Sequence, residues 1–305
     1  MSPVRPLLNT WMRLVEKPRV RRANHPALLR RALERNRRIF FHPPRGTQQS
    51  WTRLGCIDAL EVVPPNLSDT RRVLFYIHGG GFTFGSPRTH AALAAQLAHR
   101  LGIRAVLPRY GLAPEAPYPA APDDIAAAWR GLIDQSTAPG DVILGGDSAG
   151  GALAFGLSST LCTTGAAKPM AVFGFSPLTD LRYSGESFAR NAKRDVFLPA
   201  QSAAKLTELF FPDGFVEDAR VSPLAGDHTG APPYWVTVGD TEILLDDARR
   251  LVALAQDSGV EATLVLRRDL PHVWPIMHAI LPEARQTLDQ LAGWIRQQPG
   301  WRDES

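Results

Sequence analysis

A glycine-rich heptapeptide, Gly145-Gly146-Asp147-Ser148-Ala149-Gly150-Gly151, sits between an apolar run, Val142-Ile143-Leu144, and a helix-like run from Ala152 to Leu161. That order reads as strand, sharp turn, helix. The glycines permit a strained backbone and let strand and helix approach closely. A serine at such a turn stands up from the sheet with its hydroxyl exposed. The pattern G-x-S-x-G is Gly146, Ser148 and Gly150. Similar turns also occur for purely structural reasons, so the rest of the chain has to decide.

The rest of the chain alternates. Strands are expected at 52–63 (one or two, ended by Pro64-Pro65), 73–77, 103–107, 142–145, 171–175, 234–238 and 260–266. Helices are expected at 89–100, 122–134, 243–256 and 277–296. The run Val73-Leu74-Phe75-Tyr76-Ile77 is apolar throughout, as the middle of a parallel sheet requires. This alternation predicts an α/β fold with a mainly parallel central sheet flanked by helices. Two segments stand outside it. Residues 1–45 read as two helices, about 7–16 and 26–40, broken by Pro18 and Pro26; residues 183–220 interrupt the alternation with helical stretches rich in phenylalanine. Together they suggest a lid built from two parts of the chain. The core is then 46–182 and 221–305.

Composition narrows the function classes. The 305 residues are 44% hydrophobic, enough for one substantial core with a side element. No apolar run reaches the ~18 residues of a membrane span, and the N-terminus lacks the apolar stretch of a secretory signal. Cys56 and Cys162 are read as lone core cysteines, with no disulfide or zinc framework, so the cytoplasm is the expected compartment. Residues 1–45 carry 12 Lys and Arg against 2 acids; the remainder of the 34 bases and 30 acids leaves the other residues at −6. Basic arms raise the question of nucleic acid or an anionic membrane. Here the arginines interleave with Leu28, Leu29 and Leu33 at helical spacing, which reads as a solvated helix face, and no nucleic-acid partner is expected.

Sites in such sheets form at the C-terminal ends of the strands. There the chain delivers His78-Gly79-Gly80-Gly81, then Ser148, then Gly239-Asp240-Thr241-Glu242, then Pro271-His272. A serine, a carboxylate and a histidine thus arrive in the order of a hydrolase triad. A serine hydroxyl needs an adjacent base; an imidazole can take and return its proton near neutral pH; a carboxylate fixes the imidazole's tautomer. The N–H of Ala149, with Gly80 and Gly81, could hold an oxyanion. His78 has no partner at ligand spacing, so a loop-holding role is expected and no metal. Asp147 is read as holding the glycine loop or simply as a turn residue. Asp246 and Asp247 are read as solvated or capping charges, and His278 as a surface or packing residue of the last helix.

Taken together, His-Gly-Gly-Gly at 78–81, Gly-Asp-Ser-Ala-Gly-Gly at 146–151 and Tyr-Gly-Leu-Ala-Pro-Glu-Ala-Pro-Tyr-Pro-Ala at 110–120 resemble the hormone-sensitive-lipase family of α/β-hydrolase esterases. Ser176-Pro177-Leu178-Thr179-Asp180, Ser222-Pro223-Leu224 and Pro271-His272-Val273-Trp274 extend the resemblance over about 70–296. It implies carboxylester hydrolysis through an acyl-serine on a small-molecule ester, with no cofactor. Nucleophile falls on Ser148, base on His272, oxyanion donors on Gly80, Gly81 and Ala149, and a helical cap on 1–45 and 183–220. The acid departs from the family's Asp-Pro-Leu-x-Asp. That register reads Glu242-Ile243-Leu244-Leu245-Asp246 here, which favours Glu242, with Asp240 as the alternative. Two rivals use the same fold: an amidase or deacetylase, and a ligand-binding receptor lacking the catalytic histidine, against which the intact His272 argues. Oligomeric state is not encoded legibly, and a homodimer is left open.

Overall fold

The computed structural model describes residues 2–22 and 26–302. Its strands are β1 (Gln48–Leu54), β2 (Ile57–Val63), β3 (Asp69–Ile77), β4 (Ile103–Pro108), β5 (Val142–Asp147), β6 (Ala171–Phe175), β7 (Tyr234–Gly239) and β8 (Ala262–Arg267). They form one sheet in the order β1-β2-β4-β3-β5-β6-β7-β8. The first two strands are antiparallel, and β2 runs antiparallel to β4. All pairings from β4 to β8 are parallel. The parallel block aims the ends of β3, β5, β7 and β8 at one edge.

Successive side chains on a strand point to opposite faces, and both faces are covered. Val73, Phe75 and Ile77 pack with Trp129, Leu153 and Leu251, which lie on α5 (Ala120–Asp134), α6 (Ala149–Thr163) and α9 (Leu245–Asp257). Leu74 and Tyr76 pack on the other side with Leu97 of α4 (Pro87–Leu101) and with Leu288 and Leu291 of α10 (Pro282–Ile295). This sandwich is why the strand reads as unbroken apolar sequence.

The N-terminal arm folds as α1 (Val4–Trp11), a π-helical turn (Met12–Glu16), α2 (Lys17–Arg22) and α3 (Pro26–Phe40). Pro18 does not break the first helix. Lys17 N–H reaches back five residues to Met12 O, and the widened turn accommodates the proline ring, which has no N–H to place. The insertion between β6 and β7 carries α7 (Glu186–Arg190) and α8 (Ala200–Phe210). Arm and insertion meet: Leu8 and Met12 share a small core with Val196, Leu270, Trp274, Leu281 and Ala284. The closing helix begins at Pro282, five residues later than the periodicity predicts. Residues 274–277 form a 3-10 turn, and proline suits the first helical position. The remainder, α11 (Pro299–Arg302), is one short turn. Among the described residues no helix is long and apolar enough to cross a membrane.

Candidate active site

Ser148 occupies the turn between β5 and α6 with φ +51° and ψ −121°, a strained conformation for a residue with a side chain. The strain persists because its surroundings leave no alternative. A Cβ on Gly150 would strike the carbonyls of Ile77 and His78, so only glycine lets α6 begin this close to β3. Ser148 N–H donates to Phe175 O at 3.0 Å, and Leu178 N–H donates to Ser148 O at 3.0 Å, tying the turn to the end of β6.

Asp147 is a loop-holder rather than a bland turn residue. Its Oδ1 accepts from the Tyr76 hydroxyl at 2.7 Å and from Gly79 N–H at 3.1 Å, and Oδ2 lies 3.4 Å from His90 Nε2. Burial opposes its charge, but His90 and Tyr76 outweigh that and hold its pKa below the usual range. His78 also stays inside the loop. Its ring stacks on Tyr110 at 4.4 Å, Nδ1 sits 2.9 Å from Gly79 O, and burial pushes its pKa down to about 3. Among the described residues no cluster of His, Cys, Asp and Glu is placed to hold a metal. The glycine loop beyond it turns sharply: Thr83 and Phe84 N–H both donate to Gly80 O at 3.0 Å. Gly80 has φ +123°, and a Cβ there would strike Phe84 O. The N–H groups of Gly80, Gly81 and Ala149 have no acceptor among the described residues. Arg30 of the arm clamps this loop, donating to Thr83 O and Ala113 O at 2.8 Å.

His272 follows β8 and is buried. Its Nδ1–H donates to Glu242 Oε2 at 2.7 Å. Glu242 Oε1 accepts from Gly239 N–H at 2.6 Å and from the Ser176 hydroxyl at 2.8 Å. Burial pushes the Glu242 carboxyl up, with the imidazole hydrogen bond only partly offsetting it. Burial also disfavours charge on the His272 ring, but the Glu242 hydrogen bond and charge outweigh it, and the pKa is raised. Asp240, the alternative, is turned elsewhere: its Oδ1 accepts from Asp269 N–H at 2.7 Å. With Nδ1 held by Glu242, the His272 nitrogen left for another partner is Nε2. His272 and Ser148 line the same cavity, about 450 Å³, whose walls are mostly apolar and come from the core, the arm and the insertion.

Several contributors escape sequence reasoning. Ser176 bridges the acid and the histidine loop, since Val273 N–H donates to its Oγ at 3.2 Å. Asn191 Nδ2 donates to Glu242 O at 2.8 Å. Asp195 is buried; its Oδ2 accepts from Ile243 N–H at 3.0 Å and its Oδ1 from Phe197 and Leu198 N–H at 2.8 Å. Lys17 of the arm donates to Ala192 O at 2.8 Å and to Asp195 O. Asn191-Ala192-Lys193-Arg194-Asp195 is a polar run, and nothing local distinguishes it from a surface loop.

The expectations for Asp246, Asp247 and Cys56 are corrected, and of the two readings of His278 the packing one holds, though off the last helix. Asp247 is buried, with Oδ2 accepting from Thr179 and Asp180 N–H at 2.8 and 3.0 Å, and burial pushes its pKa up to about 7. Asp246 accepts from Ser187 N–H at 2.7 Å, so it ties the insertion to α9. His278 precedes α10 and is buried, with Nε2 3.2 Å from His42 O. Cys56 lies in the β1–β2 turn and is exposed, not a core residue.

Fold order, elbow serine and carboxylate-bound histidine define an α/β-hydrolase, and the relatives agree. Residues 74–276 match the family described as having the alpha/beta hydrolase fold. An esterase of Acinetobacter venetianus is 35% identical over 268 residues, 88% of each chain. An acetyl-hydrolase of Streptomyces hygroscopicus is 35% identical over 229 residues, 75% of this chain and 77% of the other. A crystal structure of an esterase from the bacterial hormone-sensitive lipase family superposes with a TM-score of 0.90 at 32% identity, covering 98% of this chain and 99% of that one. The chain belongs to the α/β-hydrolase family, in its hormone-sensitive-lipase branch, and is a carboxylic ester hydrolase.

Proposed function

We propose that the protein hydrolyses short- to medium-chain acyl esters through an acyl-serine on Ser148, with His272 as base and Glu242 as acid. The observation that supports this most is the Glu242–His272 hydrogen bond. It puts the proton on Nδ1 and leaves the Nε2 lone pair for the Ser148 hydroxyl, inside a cavity both residues line. Ser148 Oγ attacks the ester carbonyl as its proton passes to Nε2. The oxyanion is received by the unoccupied N–H groups of Gly80, Gly81 and Ala149. His272 returns the proton to the departing alcohol. Water then attacks the acyl-serine, giving its proton to Nε2, and the acid leaves as Ser148 recovers its hydrogen.

In this reading residues 1–45 and 183–220 form one discontinuous cap over a core of 46–182 and 221–305. Its support is that both segments contribute cavity walls and share the Leu8–Val196 core. The apolar lining and the volume, within the usual ~300–1,000 Å³ of small-molecule sites, favour a modest acyl group. The crystal of a structural relative at 29% identity was soaked with p-nitrophenyl butyrate, an ester of the same size class.

The test is a series of p-nitrophenyl esters graded by acyl length, run with a serine-directed phosphonate and with Ser148→Ala. Short and medium esters should turn over best, the phosphonate should label Ser148 alone, and Ser148→Ala should lose activity while melting at the same temperature. Turnover above a few per cent in that variant would refute the nucleophile assignment.

A further inference from the structure

The outer face of the arm exposes large apolar side chains and also arginines that have no side-chain partner among the described residues. Leu7 is 73% exposed, Trp11 39% and Leu14 70%, at spacings of four and three along one helix, and Leu28 on α3 is 56% exposed. Arg21 and Arg22 follow on α2, beyond the π-helical turn; Arg31 and Arg35 follow Leu28 three and seven residues on, and all four are exposed. None of the four has an ion pair or hydrogen bond among the described residues. Other basic residues of the arm do: Lys17 donates to Ala192 O, and Arg30 and Arg37 pair with Glu115 and Glu34. The arm's excess positive charge therefore faces solvent. Arg21 and Arg22, with Arg13, Lys17 and Pro18, also line a depression in this surface.

Single exposed leucines are ordinary, but several large exposed apolar side chains on the helices that also wall a cavity are not. The inner faces of the same helices line the cavity that holds Ser148, through Leu8 and Met12 of the first and Leu29 and Leu33 of α3. Trp11 belongs to both surfaces, and Ile280, which precedes α10, is 43% exposed and also lines the cavity. Apolar surface thus runs from the outside of the arm into the cavity.

We propose that this face docks on an anionic lipid surface, with Leu7, Leu14 and Leu28 entering the acyl boundary and Arg21, Arg22, Arg31 and Arg35 meeting phosphodiester head groups. Ester substrates then enter the cavity from the lipid side. Amphipathic helices with leucine on one flank and arginine on the other lie in such interfaces without spanning them. The charge selects this occupant. A second copy placed symmetrically would oppose arginines to arginines, and a nucleic acid would leave the leucines in water. The inference rests on the surface of the arm, not on the assignment of catalytic roles.

The test uses the full chain in co-sedimentation with neutral phosphatidylcholine vesicles and with vesicles doped with phosphatidylglycerol. Binding should be at least about tenfold tighter to the anionic vesicles and should weaken with salt. Replacing Arg21, Arg22, Arg31 and Arg35 by alanine should weaken it by about 10²-fold or more. Leu7→Glu with Leu14→Glu should abolish it. Both variants should keep kcat/KM on a water-soluble acetate ester, which separates this outcome from a failure of the catalytic reading. All six positions are exposed, and the arginine variant carries the test if the leucine variant misfolds. Equal binding to both vesicles, none to either, or an unaffected arginine variant overturns the proposal. So does a lipid-free dimer that the leucine variant dissociates, or DNA binding that it leaves unchanged.

Discussion

Replacing Glu242 by glutamine is the sharpest perturbation of the site, because the structure dictates where the amide must point. Glu242 accepts three hydrogen bonds with two oxygens: Gly239 N–H at 2.6 Å and the Ser176 hydroxyl at 2.8 Å on Oε1, and His272 at 2.7 Å on Oε2. Glutamine has one oxygen. The Gly239 amide is fixed in the backbone, so that oxygen stays in the Oε1 position and the NH₂ faces His272. Two donors cannot face each other, so Nδ1 becomes the acceptor and the ring proton moves to Nε2. That nitrogen can then no longer accept the serine proton. The expected loss in kcat is about 10⁴-fold, the size seen when a hydrolase triad is locked in the wrong tautomer, with KM little changed. Asp240→Asn keeps an oxygen for the Asp269 N–H and should cost less than about threefold in kcat. Steady-state kinetics on one p-nitrophenyl ester, with melting curves as folding controls, compare the two. A Glu242→Gln enzyme within tenfold of the parent, or an Asp240→Asn enzyme more damaged than it, refutes the tautomer argument.

The acid limb of the pH profile is set by the same pair. In the proposed role as base His272 must be neutral, and its pKa is raised above the ordinary 6.5, so kcat/KM should fall as pH drops through a midpoint above that value. A midpoint below 6.5 contradicts the reading. Asp195→Asn leaves one of three backbone N–H groups without an acceptor. It should destabilise the fold by about 1–3 kcal/mol and lower kcat about tenfold by loosening the 240–243 turn; a shifted melt with unchanged kcat would reduce Asp195 to a purely structural residue. Leu206 overhangs the glycine loop, with its Cδ1 only 2.8 Å from where a Gly81 Cβ would stand. Leu206→Trp should therefore cut kcat/KM for a decanoate ester about tenfold relative to acetate. Equal effects on both esters would place the acyl chain elsewhere.

The chain's own residues determine the sheet and the turn at its centre. Val73 to Ile77 is apolar at every position because both faces of a parallel strand are buried, and that signal is local. Glycines at 146, 150 and 151 around Ser148 report a backbone that side chains would obstruct, which is local too. Tertiary contact alone decides which acid meets His272. Glu242 and Asp240 are two residues apart with similar chemistry, and only the turn after β7, held by Asn191 and Asp195 from the insertion, sends one to the imidazole and the other to Asp269. The same holds for Asp247 and His278, whose burial comes from segments remote in sequence. Periodicity records how a residue sits on its own strand or helix; it carries no record of which distant backbone N–H will come to lie against it.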